Sequence, residues 1–271
     1  MALTDTPIAT YDNFVIENKI TDIVNSELDV TPLMTVDTTL TTAAGLQKKV
    51  HKYTYEGTVE KLDKGAKNTT KGKVTCVEVP YTVNRYQQTY VYNDMDVMAD
   101  PYIVDVLSDG AAKTMANEIR TEYFDEVAKI SKSTKVQGAL TYDAIVDALA
   151  AIGVENENGL FLLMGGDGKA AIRKDDDFIK SRQGEILYTG QFGSVCGVPC
   201  IFSKLVPANT VYATKKDAVK FFVKNAGSVE QDRDIEAKDN TVVYERHGVM
   251  ALVDDTQSAI IKFNQTATDQ H

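Results

Sequence analysis

The sequence predicts an α+β fold whose domains interleave along the chain instead of following one another. Three observations carry this. Two extended stretches are joined across a tip rich in Gly, Lys and Thr. Asp100-Pro101 then opens an apolar stripe that recurs every four residues. Beyond it, helical and extended runs alternate before the chain returns to strands.

Residues 1–40 read as an N-terminal arm. The first ten are polar and unanchored. From Asp12, the set Phe14, Val15, Ile20, Ile23, Val24 and Leu28 predicts an amphipathic helix, which Thr31-Pro32 ends. Residues 48–80 read as a long hairpin. Its first strand is Val50 to Tyr55, a turn follows at Glu56-Gly57, and 63–72 is a polar tip. The return strand alternates at Val77, Val79, Tyr81 and Val83. A second alternating set, Tyr86, Gln88, Tyr90 and Tyr92, is out of phase with the first, so a bulge or bend lies between them. A two-stranded ribbon with little apolar material is marginal in water. It is either flexible or covered by something outside the subunit.

Asp100 as N-cap and Pro101 at the first position predict a helix over 101–130, roughly 45 Å long. Ile103, Leu107, Ala111, Met115, Ile119, Tyr123 and Val127 form its apolar stripe, opposite Asp109, Lys113, Asn117, Arg120 and Asp125. So long a helix acts as a spine. An α/β unit follows to residue 215. Thr141 caps a helix carrying Ile145, Val146, Leu149 and Ile152, and Gly153 stops it. Leu160-Phe-Leu-Leu-Met164 is a buried strand by its unbroken apolarity, and a second helix runs from near Asp167 through Ile172. In Gly193-Ser-Val-Cys-Gly-Val-Pro-Cys-Ile-Phe-Ser-Lys-Leu-Val-Pro207, Gly197 and Pro199 break the chain before the strand Cys200-Ile201-Phe202, and Pro207 ends the unit.

From 216 the chain returns to strands. Val219 to Val223 is one. Glu230, Asp232, Asp234 and Glu236 share one parity, so a strand there presents a wholly acidic face. Asn240 turns the chain, Val242 to Arg246 and Met250 to Val253 continue it, and Ser258 to Phe263 closes the fold. Residues 264–271 are a polar tail.

With 43% hydrophobic and 25% charged residues over 271 positions, the chain is an ordinary globular one. No apolar run is long enough for a bilayer and the N-terminus lacks a signal-peptide layout, so a soluble, cytoplasmic chain with no membrane contact is expected. Cys76, Cys196 and Cys200 form no disulfide framework or zinc spacing and read as buried thiols. A net charge of −10 argues against broad binding to nucleic acid, though not against enclosing it. The charge is uneven. Lys48, Lys49, Lys52, Lys61, Lys64, Lys67, Lys71 and Lys73 face only Glu56, Glu60 and Asp63 within 48–73. A basic island on an acidic body is either a solvated loop or an arm that docks on an acidic neighbour.

Catalytic constellations are poor. His51, His247 and His271 are scattered, and no Gly-x-Ser-x-Gly elbow exists. Gly165-Gly-Asp-Gly-Lys169 follows a strand but fails as a phosphate loop. Leu163 stands where its first glycine belongs, and Ala170 replaces the Ser or Thr that would hold magnesium. Asp175-Asp176-Asp177 and Asp254-Asp255 read as solvated turns, since consecutive carboxylates cannot all aim at one ion. No catalytic residue, cofactor or metal ligand is nominated.

This order of elements, with Thr141-Tyr-Asp-Ala-Ile-Val-Asp-Ala-Leu149, Gly184, Leu187 and the 193–207 segment, resembles the HK97-type major capsid proteins of tailed phages over about 12–263. The resemblance implies an HK97-like capsid fold. Its extended E-loop is 48–80. A peripheral domain comprises 81–135 and 216–248 with the spine helix 101–130, and an α/β axial domain comprises 136–215 and 249–263. It implies a structural protein, not an enzyme, that self-assembles into hexamers and pentamers of an icosahedral head enclosing double-stranded DNA without reading its sequence. Assembly would take place in the host cytoplasm. Lacking a long helical region before the arm, the chain would use a separate scaffolding protein, with a portal and decoration proteins as further partners. Inter-subunit contacts would pair Lys61, Lys64, Lys67, Lys71 and Lys73 of the loop with Glu230, Asp232, Asp234 and Glu236. Some family members join a loop Lys to an Asn, for which Lys64, Lys67 and Asn68 carry suitable groups. The alternatives are an encapsulin-type compartment shell and, from another class, a cytosolic α/β enzyme.

Overall fold

The computed structural model describes residues 30–153, 158–176 and 193–265. The helix expected over 12–28, Gly184, Leu187, Asp177 and the tail beyond 265 lie outside the described residues.

Two sheets and one ribbon organise the chain. Strands β1 (Thr35–Asp37), β4 (Asn84–Asn93), β10 (Val219–Asp234) and β11 (Asp239–Leu252) form a sheet in the order β1-β10-β11-β4. Strands β5 (Ser133–Gln137), β6 (Leu160–Met164), β7 (Ser194–Val195), β8 (Val198–Phe202), β9 (Thr210–Lys215) and β12 (Ala259–Gln265) form a second, in the order β5-β12-β9-β6-β8-β7. Strands β2 (Gln47–Glu56) and β3 (Lys73–Thr82) pair only with each other. The bend expected between the two alternating sets lies at Val83, whose N–H bonds the Leu46 carbonyl at 2.8 Å. It transfers the chain from ribbon to sheet.

The helices are α1 (Asp94–Ala99), α2 (Ile103–Val127), α3 (Tyr142–Ile152) and α4 (Gly166–Lys174). The spine α2 is therefore 25 residues, about 38 Å, and shorter than expected. Asp100 caps the turn that leads into it, its carboxylate accepting from Tyr102 N at 2.9 Å and its carbonyl from Ile103 N at 3.2 Å. Asn93 opens the short α1 with a capping box, its side chain accepting from Met95 N, and Asp100 ends that helix. Helix α3 has its expected Thr141 cap and left-handed Gly153 stop, but Val146 faces water and Ala148 takes its place in the core. Asn240 does not turn the chain. It is buried within β11, where its side chain bonds Asp94 at 2.9 Å, and the turn is formed by 235–238.

Burial explains the sequence patterns. Along β6, Leu160, Leu162 and Met164 join a cluster with Ile145 and Ile172 of α3 and α4, while Phe161 and Leu163 join the cluster of α2. A strand covered on both faces needs apolar residues at every position. The α2 cluster also takes Tyr86, Tyr90 and Tyr92 of β4 and Phe221, Tyr244 and Met250 of the four-stranded sheet. Among the described residues, no helix is long and apolar enough to cross a membrane.

His247 and Gly248 lie within β11, not at a strand end. A Cβ at Gly248 would stand 2.6 Å from Phe221 Cζ and 3.0 Å from the Phe222 carbonyl oxygen. Gly248→Ala should thus destabilise the subunit by roughly 1–3 kcal/mol, read as a lower urea midpoint. An unchanged midpoint would mean that the buried ring yields freely.

The α2 face also half-buries an acid. Glu122 accepts hydrogen bonds from the Tyr86 hydroxyl and, at 3.2 Å, from Asn84 Nδ2. Burial pushes the Glu122 carboxyl above its ordinary value of 4.5, against the lowering effect of those two bonds. Since the folded state then takes up the proton first, this group adds stability as pH falls through its raised value towards 4.5. Glu122→Gln should abolish that increment, so that the gain in urea midpoint from about pH 7 to about pH 5 is smaller in the variant than in the parent. Equal gains would place the effect elsewhere.

Candidate functional site

The ribbon is the feature with no explanation inside one subunit. Ten residue pairs hold it in unbroken register, from Gln47 opposite Thr82 to Glu56 opposite Lys73. Its base is anchored on the outer face of the four-stranded sheet. Val50 is buried with Leu40, Phe222, Val249 and Ala251, and Lys48 Nζ sits 4.8 Å above the Phe222 ring. The Tyr81 hydroxyl reaches the Leu252 carbonyl at 3.4 Å.

Asp255 fastens the base. It accepts from Lys52 Nζ at 3.3 Å and from the Ser131 hydroxyl at 2.7 Å. Burial raises its pKa, but these bonds outweigh burial and hold the carboxyl below its ordinary range. The Asp254-Asp255 pair is thus only half a solvated turn. Asp254 binds the N–H and hydroxyl of Thr256, whereas Asp255 ties the ribbon to the chain after α2.

Beyond Val50 the ribbon has no cover. Tyr53, Tyr55 and Val74 are 68%, 69% and 59% exposed, and the strand pairing places all three on one face. Val77 on the other face is exposed as well. Cys76 lies opposite Tyr53 and is exposed, and Cys196 and Cys200 are half-buried. The expectation of three buried thiols fails because the ribbon has no core to bury one. Glu78 pairs with Lys49 and His51, each at 3.1 Å, which gives His51 a surface partner in place of a catalytic one.

The tip, 57–72, is closed by Glu60. Its carboxylate accepts from Thr69 N at 3.0 Å, from the Thr69 hydroxyl at 2.7 Å and from the Thr70 hydroxyl. These bonds, that from the Thr70 hydroxyl above all, hold its pKa below the ordinary value. The Tyr55 ring lies against Gly57 and Gly72, where a Cβ would come within 2.5 and 2.3 Å of its hydroxyl. Lys61, Lys64, Lys67, Lys71 and Lys73 all stand exposed around this tip.

The acidic set is placed differently from its sequence pattern. Glu230, Asp232 and Asp234 are exposed on β10, on the sheet face that also carries Phe222 and Val249. Glu236 is not on the strand but in the turn after it. Asp234 accepts from the N–H groups of Glu236 and Ala237 at 2.8 and 3.0 Å, which build that turn and, Ala237 first, lower its pKa. Among the described residues no ion pair joins the tip lysines to this set within one subunit.

Sequence reading missed two surfaces. Helix α1 is bound to the end of β10 through Asp94, which takes Arg233 at 2.6 Å, and to the 235–238 turn through Asn93, which donates to the Ala237 carbonyl at 2.9 Å. Together they expose Met95, Met98, Tyr102 and Ile235. The box Asn93-x-x-Asp96 was the signal for this extra helix. The second is the surroundings of Phe202, where Lys169 Nζ lies 4.9 Å over the ring. The Gly165 segment is a plain strand-to-helix turn, with Gly165 as N-cap of α4. Asp175 is used locally, accepting from Tyr142 N at 3.0 Å. Among the described residues, no three His, Cys, Asp or Glu side chains are placed to hold a metal.

A model of the family described as phage capsid protein matches residues 77–262. No curated protein matches the sequence. Among solved structures, the capsid of cyanophage P-SCSP1u is similar with a TM-score of 0.72 at 12% identity, over 86% of this chain and 87% of that one. The capsid of the native GTA particle gives 0.72 at 14%, over 89% and 91%. The mature capsid of bacteriophage PhiM1 gives 0.67 at 10%, over 85% and 86%. At such identities these likenesses establish the fold, and it is the HK97-like capsid fold expected from the sequence.

In the isolated subunit, amides of β2 and β3 beyond Val50 and Val79 should exchange at least about 100-fold faster than those of β6. Hydrogen-exchange mass spectrometry reads this directly. Equal protection would show that the ribbon is stable without a neighbour.

Proposed function

The chain belongs to the phage capsid protein family and is a structural protein of an icosahedral shell, and from that premise we propose how its surfaces build one. The observation that carries the reading is the anchored ribbon with exposed tyrosine and valine beyond its base. It acts as the E-loop and lies across a neighbouring copy, which covers Tyr53, Tyr55 and Val74. The four-stranded sheet with α2 is the peripheral domain; its strands carry it beyond the expected 81–135 and 216–248, to Thr35–Asp37 and to Leu252 at the end of β11. The six-stranded sheet with α3 and α4 is the axial domain that gathers into pentamers and hexamers; it begins at Ser133 in place of 136, and its closing strand is 259–265 in place of 249–263.

Lys61, Lys64, Lys67, Lys71 and Lys73 then face Glu230, Asp232, Asp234 and Glu236 of another copy. Complementary charge of this kind sets register and encounter more than raw affinity. Asp234 serves mainly to shape the turn, so Glu230, Asp232 and Glu236 carry more of the pairing. The enclosed double-stranded DNA meets a chain of net charge −10, which fits containment without sequence reading. A separate scaffolding protein, a portal and decoration proteins complete the particle, assembled in the host cytoplasm. Each contact is weak, and many copies together hold the shell.

Charge reversal of Lys61, Lys64 and Lys67 to Glu should leave the subunit folded, because all three are exposed. It should cut the yield of closed shells at least about tenfold in co-expression with scaffolding protein, counted by negative-stain electron microscopy. Normal shells from the triple variant would refute the pairing.

A further inference from the structure

The four-stranded sheet ends in two edges of different character. Beyond Phe222, which pairs with Asp37 of β1, the outer side of β10 has no strand partner among the described residues. That edge carries the register breaks between Val223 and Ser228, then Glu230, Asp232, Arg233 and Asp234. Bulges and charges of this kind keep an edge from pairing. The opposite edge, β4, pairs only with β11 among the described residues, in ten steps without a break. It holds no Lys or Pro, and its one charged side chain, Arg85, is taken by Glu245 at 2.6 Å.

The alternation of an antiparallel ladder fixes which backbone groups point outward. Asp94 N–H bonds the Lys238 carbonyl at 3.1 Å, one register step beyond Asn93 opposite Asp239. Arg85, Gln87, Thr89 and Val91 therefore turn their N–H and C=O groups to the open edge. Beside it lies a hollow of about 300 Å³, with Arg85, Tyr86, Gln87 and Gln88 on the strand and Thr114, Met115 and Glu118 on α2. A strand edge flanked by a helix is a seat for an added extended segment.

The ribbon carries an edge to match. Val83 N–H bonds the Leu46 carbonyl, so by the same alternation Pro80, opposite Lys49, has its missing donor on the outer side of β3. Pro80 interrupts that edge. Strand β2 has no proline, and Lys49, His51, Tyr53 and Tyr55 turn their backbone groups outward.

We propose that the free edge of β2 in one copy adds as a fifth strand to the β4 edge of a neighbouring copy. This rests on the ribbon lying across a neighbour and names its seat there. Glu118 is exposed and has no partner among the described residues, which suits a lysine-rich ribbon. Residues 1–29 suit it less, because they hold Asp5, Asp12, Glu17, Asp22, Glu27 and Asp29 against Lys19 alone. Two β4 edges paired with each other would leave Tyr53 and Tyr55 uncovered.

The test uses proline, which at an outward position removes one edge donor and spares the inner ladder. Full-length Thr89→Pro and Tyr53→Pro are compared with Thr89→Ala and Tyr53→Ala, which keep the N–H, in co-expression with scaffolding protein. Each proline should cut closed shells at least about tenfold below its alanine control. In the unsubstituted protein, amides of 85–91 should exchange at least about tenfold more slowly in shells than in isolated subunits. Equal shell yields from proline and alanine would overturn the strand pairing. So would protection of 85–91 already present in the isolated subunit, which would give the edge to the chain's own residues. An effect of Thr89→Pro without one of Tyr53→Pro would give it to something other than β2. Normal shells from both prolines, beside failure of the Lys61, Lys64 and Lys67 reversal, would overturn this seat and leave the docking of the ribbon standing.

Discussion

The subunit depends on one helix face shared by two sheets. Along α2, Ala111, Ala112 and Ala116 are buried near the start and middle, where small side chains let the four-stranded sheet approach closely. Further on, Tyr123, Phe124 and Val127 fill the wider space where the six-stranded sheet also arrives. The two sheets therefore share a single apolar cluster, from Tyr86 and Phe221 on one side to Phe161, Leu163 and Tyr212 on the other. Such a core resists hinge motion, since packed interiors do not deform continuously. A rigid body is what a shell tile requires, and the helix supplies it without a disulfide, since Cys76, Cys196 and Cys200 form none.

The ribbon borrows this rigidity only at its base. Lys52 and Asp255 link it to Ser131 just past the end of α2, while Tyr81 reaches Leu252 at the end of β11. Its direction is thus fixed by the spine helix, and its far half is left to be covered. Two strands alone bury too little to hold a fixed shape. Order in the outer half must then come with the neighbour's surface, which ties the conformation of the tip to assembly.

Much of this was legible in the sequence, for reasons that differ by element. The four-residue repeat of α2, the unbroken run Leu160 to Met164 and the Thr141 to Gly153 helix each carry a period or a cap that physics reads directly. The parity break between Val83 and Tyr86 located the passage from ribbon to sheet. The errors came where a local signal had two meanings. Asp100-Pro101 marks the turn into α2, yet Asn93 had already begun another helix seven residues earlier, which Asp100 also ends. Glu236 keeps the parity of Glu230, but Asp234 folds the backbone over its own carboxylate and removes Glu236 from the strand. Asn240 resembles a turn residue and is instead a buried partner of Asp94. The surroundings of Phe202 could not be read at all, because Lys169 comes from α4 and Phe202 from β8, and only the fold brings them together.

The distribution of unsatisfied surface follows one logic. Among the described residues, many of the open apolar side chains lie on the ribbon, at the α1 end with Met95, Met98 and Tyr102, and around Phe202, while Val36, Val91 and Val146 stand singly elsewhere. The α1 end and the surroundings of Phe202 are joined to the shared core by helices and strands and are held at fixed relative positions, whereas the ribbon is held at its base alone. Burying any one of them contributes little, at about 25 cal/mol per Å² of apolar surface. Because rigid placement lets several be buried in the same docking event, the contributions add without a separate ordering cost for each. A subunit with weak, spaced contacts can leave a wrong position before the next contact forms. Once a shell closes, the same contacts act together, and the rate of loss falls far below that of any single one.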